Sequence, residues 1–216
     1  MIDYLLQLDE KITLAINGSH SILLDHLALI ITSTIAWVPL GVFLLWHVYR
    51  NYNLRTMLYV LIGLGLCVFL ADTISSGFFK PFVERFRPTR DPELMYVVKV
   101  VEGYRGGRYG FFSSHAANTC SVALFLGLLF RNKILYYLLA FFTLSNCWSR
   151  MYLGVHYFGD IIVGLLCGVI VGWCVYRLYM RCGGVLLTKD SYSLVEIHII
   201  MYISFLLLAP FLAALN

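Results

Sequence analysis

Charge is scarce in this chain: 13% of its 216 residues are Asp, Glu, Lys or Arg, and only 12 of them are acidic. So little polar side chain cannot clothe a domain of this size in water, which excludes an ordinary soluble protein and a disordered one. Prolines number five, three of them (Pro81, Pro88, Pro92) in one short stretch, so most of the apolar runs elsewhere can be helices. The six cysteines stand in or beside apolar runs, with no CxxC pair and no Cys/His ligand spacing, and read as small buried hydrophobes. The N-terminus lacks the basic n-region and small-residue cleavage site of a secretory signal and is expected to be retained. There is no internal repeat, no low-complexity tract and no room for a second soluble domain.

What is present is hydrophobic: 60% of residues, with a mean hydropathy of +0.80. Six hydrophobic segments can be drawn, the first two long enough to cross a hydrocarbon layer, since each crossing needs about 20 apolar residues. They cover about Ile22–Tyr49, Met57–Phe79, Ser113–Phe130, Ile134–Trp148, Asp160–Met180 and Leu194–Leu215. The first is overlong and carries Asp25, His26 and Pro39, so its front half is read as interfacial and its crossing as Trp37–Tyr49. Before it, Ile2, Leu5, Leu6, Ile12, Leu14 and Ile16 alternate loosely with polar residues, as in an amphipathic helix lying on the membrane surface. The expected fold is all-α: a polytopic membrane protein of six transmembrane helices and an amphipathic N-terminal helix. Residues 1–216 form a single domain, with 80–112 as an extramembrane active-site insertion. Gly164, Gly168 and Gly172 form a small-xxx-small ladder that lets a neighbouring helix approach closely.

The formal charge of +4 is too modest to argue for nucleic acid. Basic residues at the short turns (Arg50 and Arg55, Arg131 and Lys133, Arg177 and Arg181) mark one face as cytoplasmic. The insertion and the Arg150 turn then share the opposite face, which is periplasmic in a bacterial inner (cell) membrane.

Three clusters lie at membrane edges on that face. His156 and Asp160, four residues apart at a helix start, fall on one helical face, where the carboxylate can hold one imidazole nitrogen and leave the other free to attack. Lys80, Arg87 and Arg150 are cations suited to gathering phosphate oxygens, although any of them could instead snorkel to lipid head groups. His115, after Ser113 and Ser114 at another helix start, is placed to protonate a leaving alkoxide, and Ser113 to meet phosphate or merely to cap its helix. No carboxylate cluster or His-rich tract has metal-ligand spacing, so the cations would replace a metal, and the reaction is predicted to need neither metal nor cofactor.

Together these clusters resemble the type 2 phosphatidic acid phosphatase superfamily, whose motifs read KxxxxxxRP, PSGH and SRxxxxxHxxxD in that order. Lys80, Arg87 and Pro88 fit the first; Ser149, Arg150, His156 and Asp160 fit the third. The second departs, with Phe112 for the proline and Ser114 for the glycine, while Ser113 and His115 are kept. The resemblance implies a six-helix membrane fold and a phosphohistidine on His156 that water hydrolyses to inorganic phosphate. It makes His156 the nucleophile, Asp160 its orienting partner and His115 the general acid, with Lys80, Arg87, Ser113, Ser114 and Arg150 as phosphate ligands.

The partners expected are therefore a membrane lipid phosphate and water. The head group is open among a polyprenyl diphosphate, phosphatidylglycerol phosphate, phosphatidic acid and a lipid A phosphate. Arg85, Arg90, Lys99, Arg105 and Arg108 exceed what one phosphate needs and hint at a polyanionic head group, or at a basic loop resting on anionic lipid. The alternatives are a non-catalytic protein that binds anionic lipid, and a transporter, for which Asp72 is the main ionisable residue inside a span.

Overall fold

A computed structural model describes residues 2–17, 21–188 and 192–213. Among them the chain is helical, with a single isolated bridge, Phe86 to Tyr109, in place of any strand. The helices are α1 (Ile2–Asn17), α2 (Ile22–Thr32), α3 (Thr34–Asn51), α4 (Leu54–Asp72), α5 (Lys80–Val83), α6 (Ser114–Phe130), α7 (Lys133–Tyr152), α8 (Phe158–Arg181) and α9 (Tyr192–Ala213). A π-helical stretch, Thr73–Phe79, joins α4 to α5.

The helix starts follow from local chemistry. Asn53, Ser113 and Asn132 each accept a first-turn N–H, from Thr56, Ala116 and Ile134 respectively. The overlong first run is divided at Ser33, as its polar front half suggested, into α2 and α3. Each of the other five expected segments coincides with a helix among the described residues, the last two positions of the final one, Ala214 and Leu215, lying outside them. Among the described residues Leu54–Val83 and Phe158–Arg181 are each long and apolar enough to cross a membrane, and α6, at 17 residues, is shorter than the usual span. The insertion begins later than expected, because Lys80 continues the long α4–α5 helix and irregular backbone starts only at Glu84, which turns left-handed (φ 52°).

The glycine ladder decides the closest packing. A Cβ on Gly164, Gly168 or Gly172 would stand 2.6, 2.7 and 2.6 Å from the carbonyl oxygens of Ser113, Ala117 and Ser121. One face of α8 therefore lies directly on the backbone of α6. Around this pair α3, α4 and α7 build the apolar core of Val48, Val60, Phe125, Leu129 and Val175. The start of α8 is thus fixed against the start of α6.

Helix α1 is amphipathic as expected, but its docking face is polar. Tyr4, Leu5 and Leu8 are exposed, whereas Thr13 and Asn17 are buried and Asp9 half-buried. Asn17 donates to the carbonyls of Lys99 and Tyr152 at 3.0 and 2.7 Å, tying α1 to the insertion and to α7.

Candidate active site

The end of the bundle away from Arg50, Arg55, Arg131 and Lys133 gathers the end of α5, the start of α6, the end of α7 and the start of α8. All three sequence clusters meet there. His156, in the α7–α8 turn, is 1% exposed and Asp160 0%. Asp160 Oδ2 accepts the Tyr157 N–H at 3.0 Å and lies 3.4 Å from His156 Nδ1. That last gap is an ion-pair distance rather than a formed hydrogen bond, and Nδ1 has no hydrogen-bond partner. The other ring nitrogen, Nε2, faces Arg87 Nη1 at 3.5 Å.

Burial, then the charges of Arg87, Arg150 and Lys80, hold the His156 imidazole well below its usual pKa. The ring is therefore neutral at pH 7 and its Nε2 lone pair is available. Burial, reinforced by Arg150, also lowers Arg87, to about 10, which leaves it charged at pH 7.

Each cation is held separately. Arg87 Nε donates to the Tyr109 carbonyl at 3.1 Å, and its guanidinium occupies the space a Cβ on Gly106 would need, 2.7 Å from Nη1. Gly106 also has φ +63°, so this turn favours glycine for two reasons. Gly110 is constrained less tightly, since a Cβ there would lie 3.1 Å from Arg87 Cγ and 3.2 Å from Asp160 Oδ2. Lys80 Nζ donates to Ser76 Oγ at 2.8 Å and Ser114 Oγ at 3.2 Å, and Ser76 donates to Asp72 at 3.0 Å. Asp72 is thus the polar partner of a ladder along the α4–α5 helix rather than a lone charge.

Arg150, 2% exposed, bonds Thr32 and the Tyr104 hydroxyl and leaves its Nε buried without a partner. Ser113 caps α6, and its N–H donates to the Asp160 carbonyl at 3.1 Å. His115 lies within Coulombic range of His156 and all three cations. It also lines a cavity of about 260 Å³ with Asn118, Thr119, Trp37, Phe142 and Asn146.

A neutral imidazole faces a guanidinium, with a carboxylate behind it and further cations around it, an arrangement in which a candidate nucleophile and candidate anion-binding groups point to one place. The family model described as PAP2 superfamily matches residues 56–183, a stretch that holds every one of these groups except Thr32 and Trp37. The chain belongs to the PAP2 superfamily. It is 37% identical over 179 residues to a lipid A 4'-phosphatase of Porphyromonas gingivalis, covering 83% of this chain and 76% of the relative. It is 35% identical over 178 residues to a lipid A 4'-phosphatase of Bacteroides thetaiotaomicron, covering 82% and 79%. Two solved structures share its fold. A phosphatidylglycerolphosphate phosphatase from Bacillus subtilis superposes with a TM-score of 0.63 at 21% identity, covering 82% of this chain and 87% of its own. Aquifex aeolicus LpxE does so with 0.58 at 22%, covering 79% and 95%. This PAP2 protein is accordingly an all-helical membrane lipid phosphatase.

The sequence did not single out four groups now seen at the site: Asp9, Thr32, Tyr104 and, as a contact of Asp160, Arg85. Of the five surplus cations, two are consumed internally. Arg85 pairs with Asp9 and Asp160, and Lys99 with Asp25 at 2.7 Å. Arg105 donates to the Thr89 carbonyl, and Arg90 and Arg108 remain exposed.

Proposed function

We propose that this enzyme removes a phosphate from lipid A at the periplasmic face of a bacterial inner membrane. Residues 1–216 would act as one phosphatase domain with six crossings. The substrate follows from its two relatives, which are named for lipid A. The chemistry rests on one observation: His156 Nε2 is directed at Arg87 while Asp160 stands behind Nδ1.

In the first step Nε2 bonds to phosphorus and the bond from phosphorus to the lipid oxygen breaks. His115 gives its proton to the departing alkoxide, a contribution of about 10² to 10⁴ in rate. Lys80, Arg87, Arg150, Ser113 and Ser114 hold the equatorial oxygens, and Arg150 Nε gains the acceptor it lacks. In the second step water attacks phosphorus and returns a proton to His115, the P–N bond breaks, and inorganic phosphate leaves. The cavity beside His115 gives the lipid side of the substrate a place next to its leaving oxygen. Neither step calls on a metal.

The test is phosphate release in detergent from lipid A, phosphatidylglycerol phosphate, phosphatidic acid and a polyprenyl diphosphate, side by side. Lipid A should give the highest kcat/KM, chelator should have no effect, and vanadate should inhibit as a phosphate mimic. His156→Ala should remove turnover. Full activity in that variant would rule out the mechanism; binding without turnover in the wild type would point to a non-catalytic lipid-binding protein.

A further inference from the structure

The first turn of α8, which carries Asp160, is satisfied largely from another helix. Asp9 Oδ1 accepts the Gly159 N–H at 2.6 Å, and Thr13 Oγ1 accepts the Phe158 N–H at 3.1 Å. These N–H groups have no partners within their own helix, so α1 serves as the cap of α8. Gly159 permits the approach, since a Cβ there would sit 3.0 Å from Asp9 Oδ2.

The second oxygen of Asp9 does something a cap does not need. Asp9 Oδ2 accepts from Arg85 Nη2 at 2.7 Å, and Arg85 Nη1 reaches Asp160 Oδ1 at 3.2 Å. The guanidinium lies 3.8 Å over the Tyr157 ring, and Tyr157 is held in turn by its hydroxyl on Asp91 at 3.1 Å. Arg85 therefore holds the oxygen of Asp160 turned away from His156, leaving Oδ2 toward the imidazole. A carboxylate with no solvent exposure, facing a neutral ring, needs a compensating cation. Arg87 faces Nε2 instead, so Arg85 is the guanidinium that grips Asp160. Arg85 stands at an unspecified position of the KxxxxxxRP motif.

We propose that Arg85 and Asp9 are positioning residues that set the Asp160 carboxylate against His156, so that the N-terminal helix supports the site through Asp9. This rests on the His156–Asp160 reading above. Arg85 fixes the carboxylate and Asp9 fixes Arg85, so loss of either lets Asp160 turn and leaves the attacking tautomer of His156 unsupported.

Steady-state kinetics of the full chain in lipid A/detergent micelles test this with five variants. Asp9→Asn keeps the oxygen that caps Gly159 but loses the charge that holds Arg85. It should lower kcat roughly 10- to 100-fold with KM unchanged, the range typical when a supporting partner of a site ligand is removed. Asp9→Glu should recover most of that loss, and Arg85→Gln combined with Asp9→Asn should be no worse than Arg85→Gln alone. Thr13→Val removes only a cap and should lower the melting temperature while keeping kcat. Wild-type kcat in Asp9→Asn, a loss confined to KM, additive losses in the double variant, or an equal kcat loss in Thr13→Val would each overturn the proposal. His156→Ala separates the two readings: if it is inactive while Asp9→Asn and Arg85→Gln are not, only the positioning role fails.

Discussion

Gly164→Ala probes the joint on which the site depends. Its Cβ would stand 2.6 Å from the Ser113 carbonyl oxygen and 3.0 Å from Ala116 Cβ, both in the first turn of α6. Bringing the carbonyl contact to an ordinary separation of about 3.5 Å requires the helix starts to part by about 0.9 Å. Overpacking of this kind costs about 1–3 kcal/mol, less up to about 1 kcal/mol regained because alanine favours a helix over glycine. The larger effect should be catalytic, because the displaced turn carries Ser113, Ser114 and His115 while α8 carries Asp160. A misplacement near 1 Å costs on the order of 10²-fold in rate, so kcat for phosphate release should fall about 10- to 100-fold. Gly65→Ala is the control, since nothing lies within 4 Å of its Cβ, and it should keep both melting temperature and kcat. If Gly164→Ala matches the wild type in detergent melting and in kcat, the close α6–α8 contact does not set the site geometry.

Because burial holds His156 well below its usual value, the unfolded chain, with a pKa near 6.5, takes up a proton that the folded chain refuses. The contribution of neutral His156 to stability is therefore full above about pH 6.5 and is lost as pH falls toward the depressed value. Melting temperatures of wild type and His156→Asn should show a difference that is flat above pH 7 and moves against the wild type below 6.5; a parallel pair of profiles would contradict this. Asp25→Asn leaves the part-buried Lys99 without its 2.7 Å carboxylate and should cost about 1–3 kcal/mol in denaturant titrations, with Asp25→Asn/Lys99→Met recovering part of it. Tyr104→Phe removes one hydrogen bond donated by the Arg150 guanidinium and should lower kcat/KM about 10- to 100-fold, since a bond to a charged group contributes about 1.5–3 kcal/mol. A loss of about a thousandfold or more, beyond what one such bond supplies, would instead make Tyr104 a substrate contact.

The sequence reading located helices well because apolar runs and their polar ends are local signals. Ser113 announces α6, whereas His156, expected on one helical face with Asp160, stands in the turn before α8 with Asp160 in the first turn of that helix. The Gly164–Gly172 ladder foretold a close helix contact but not its partner, since partner choice depends on which backbone, here Ser113 to Ser121, can be approached. The insertion was least legible. Its five extra cations look alike in sequence, yet Arg85 and Lys99 are held by Asp9 and Asp25, 76 and 74 residues away. The polar stripe Asp9, Thr13, Asn17, at steps of four along α1, was the available signal for that docking, but hydrophobic periodicity draws attention to the opposite face.

This redistribution of charge narrows how a polyanionic head group would be recognised. Lys80, Arg87 and Arg150 surround His156, Arg85 and Lys99 are neutralised within the fold, and Arg105 is turned onto the Thr89 carbonyl. Arg90 and Arg108 therefore remain as the exposed cations of the insertion, with Arg108 lying 5.2 and 5.3 Å over the rings of Phe86 and Tyr109. These rings flank the bridge that leads directly to Arg87. A second phosphate on the same head group would be met there, outside the buried pocket, where screening is strong and each charge adds about 1 kcal/mol or less. Arg108→Gln should thus raise KM for a bisphosphorylated lipid A a few-fold, leave kcat alone, and leave KM for a monophosphorylated substrate unchanged. Equal effects on both substrates would return Arg108 to a general role in holding the loop against anionic lipid.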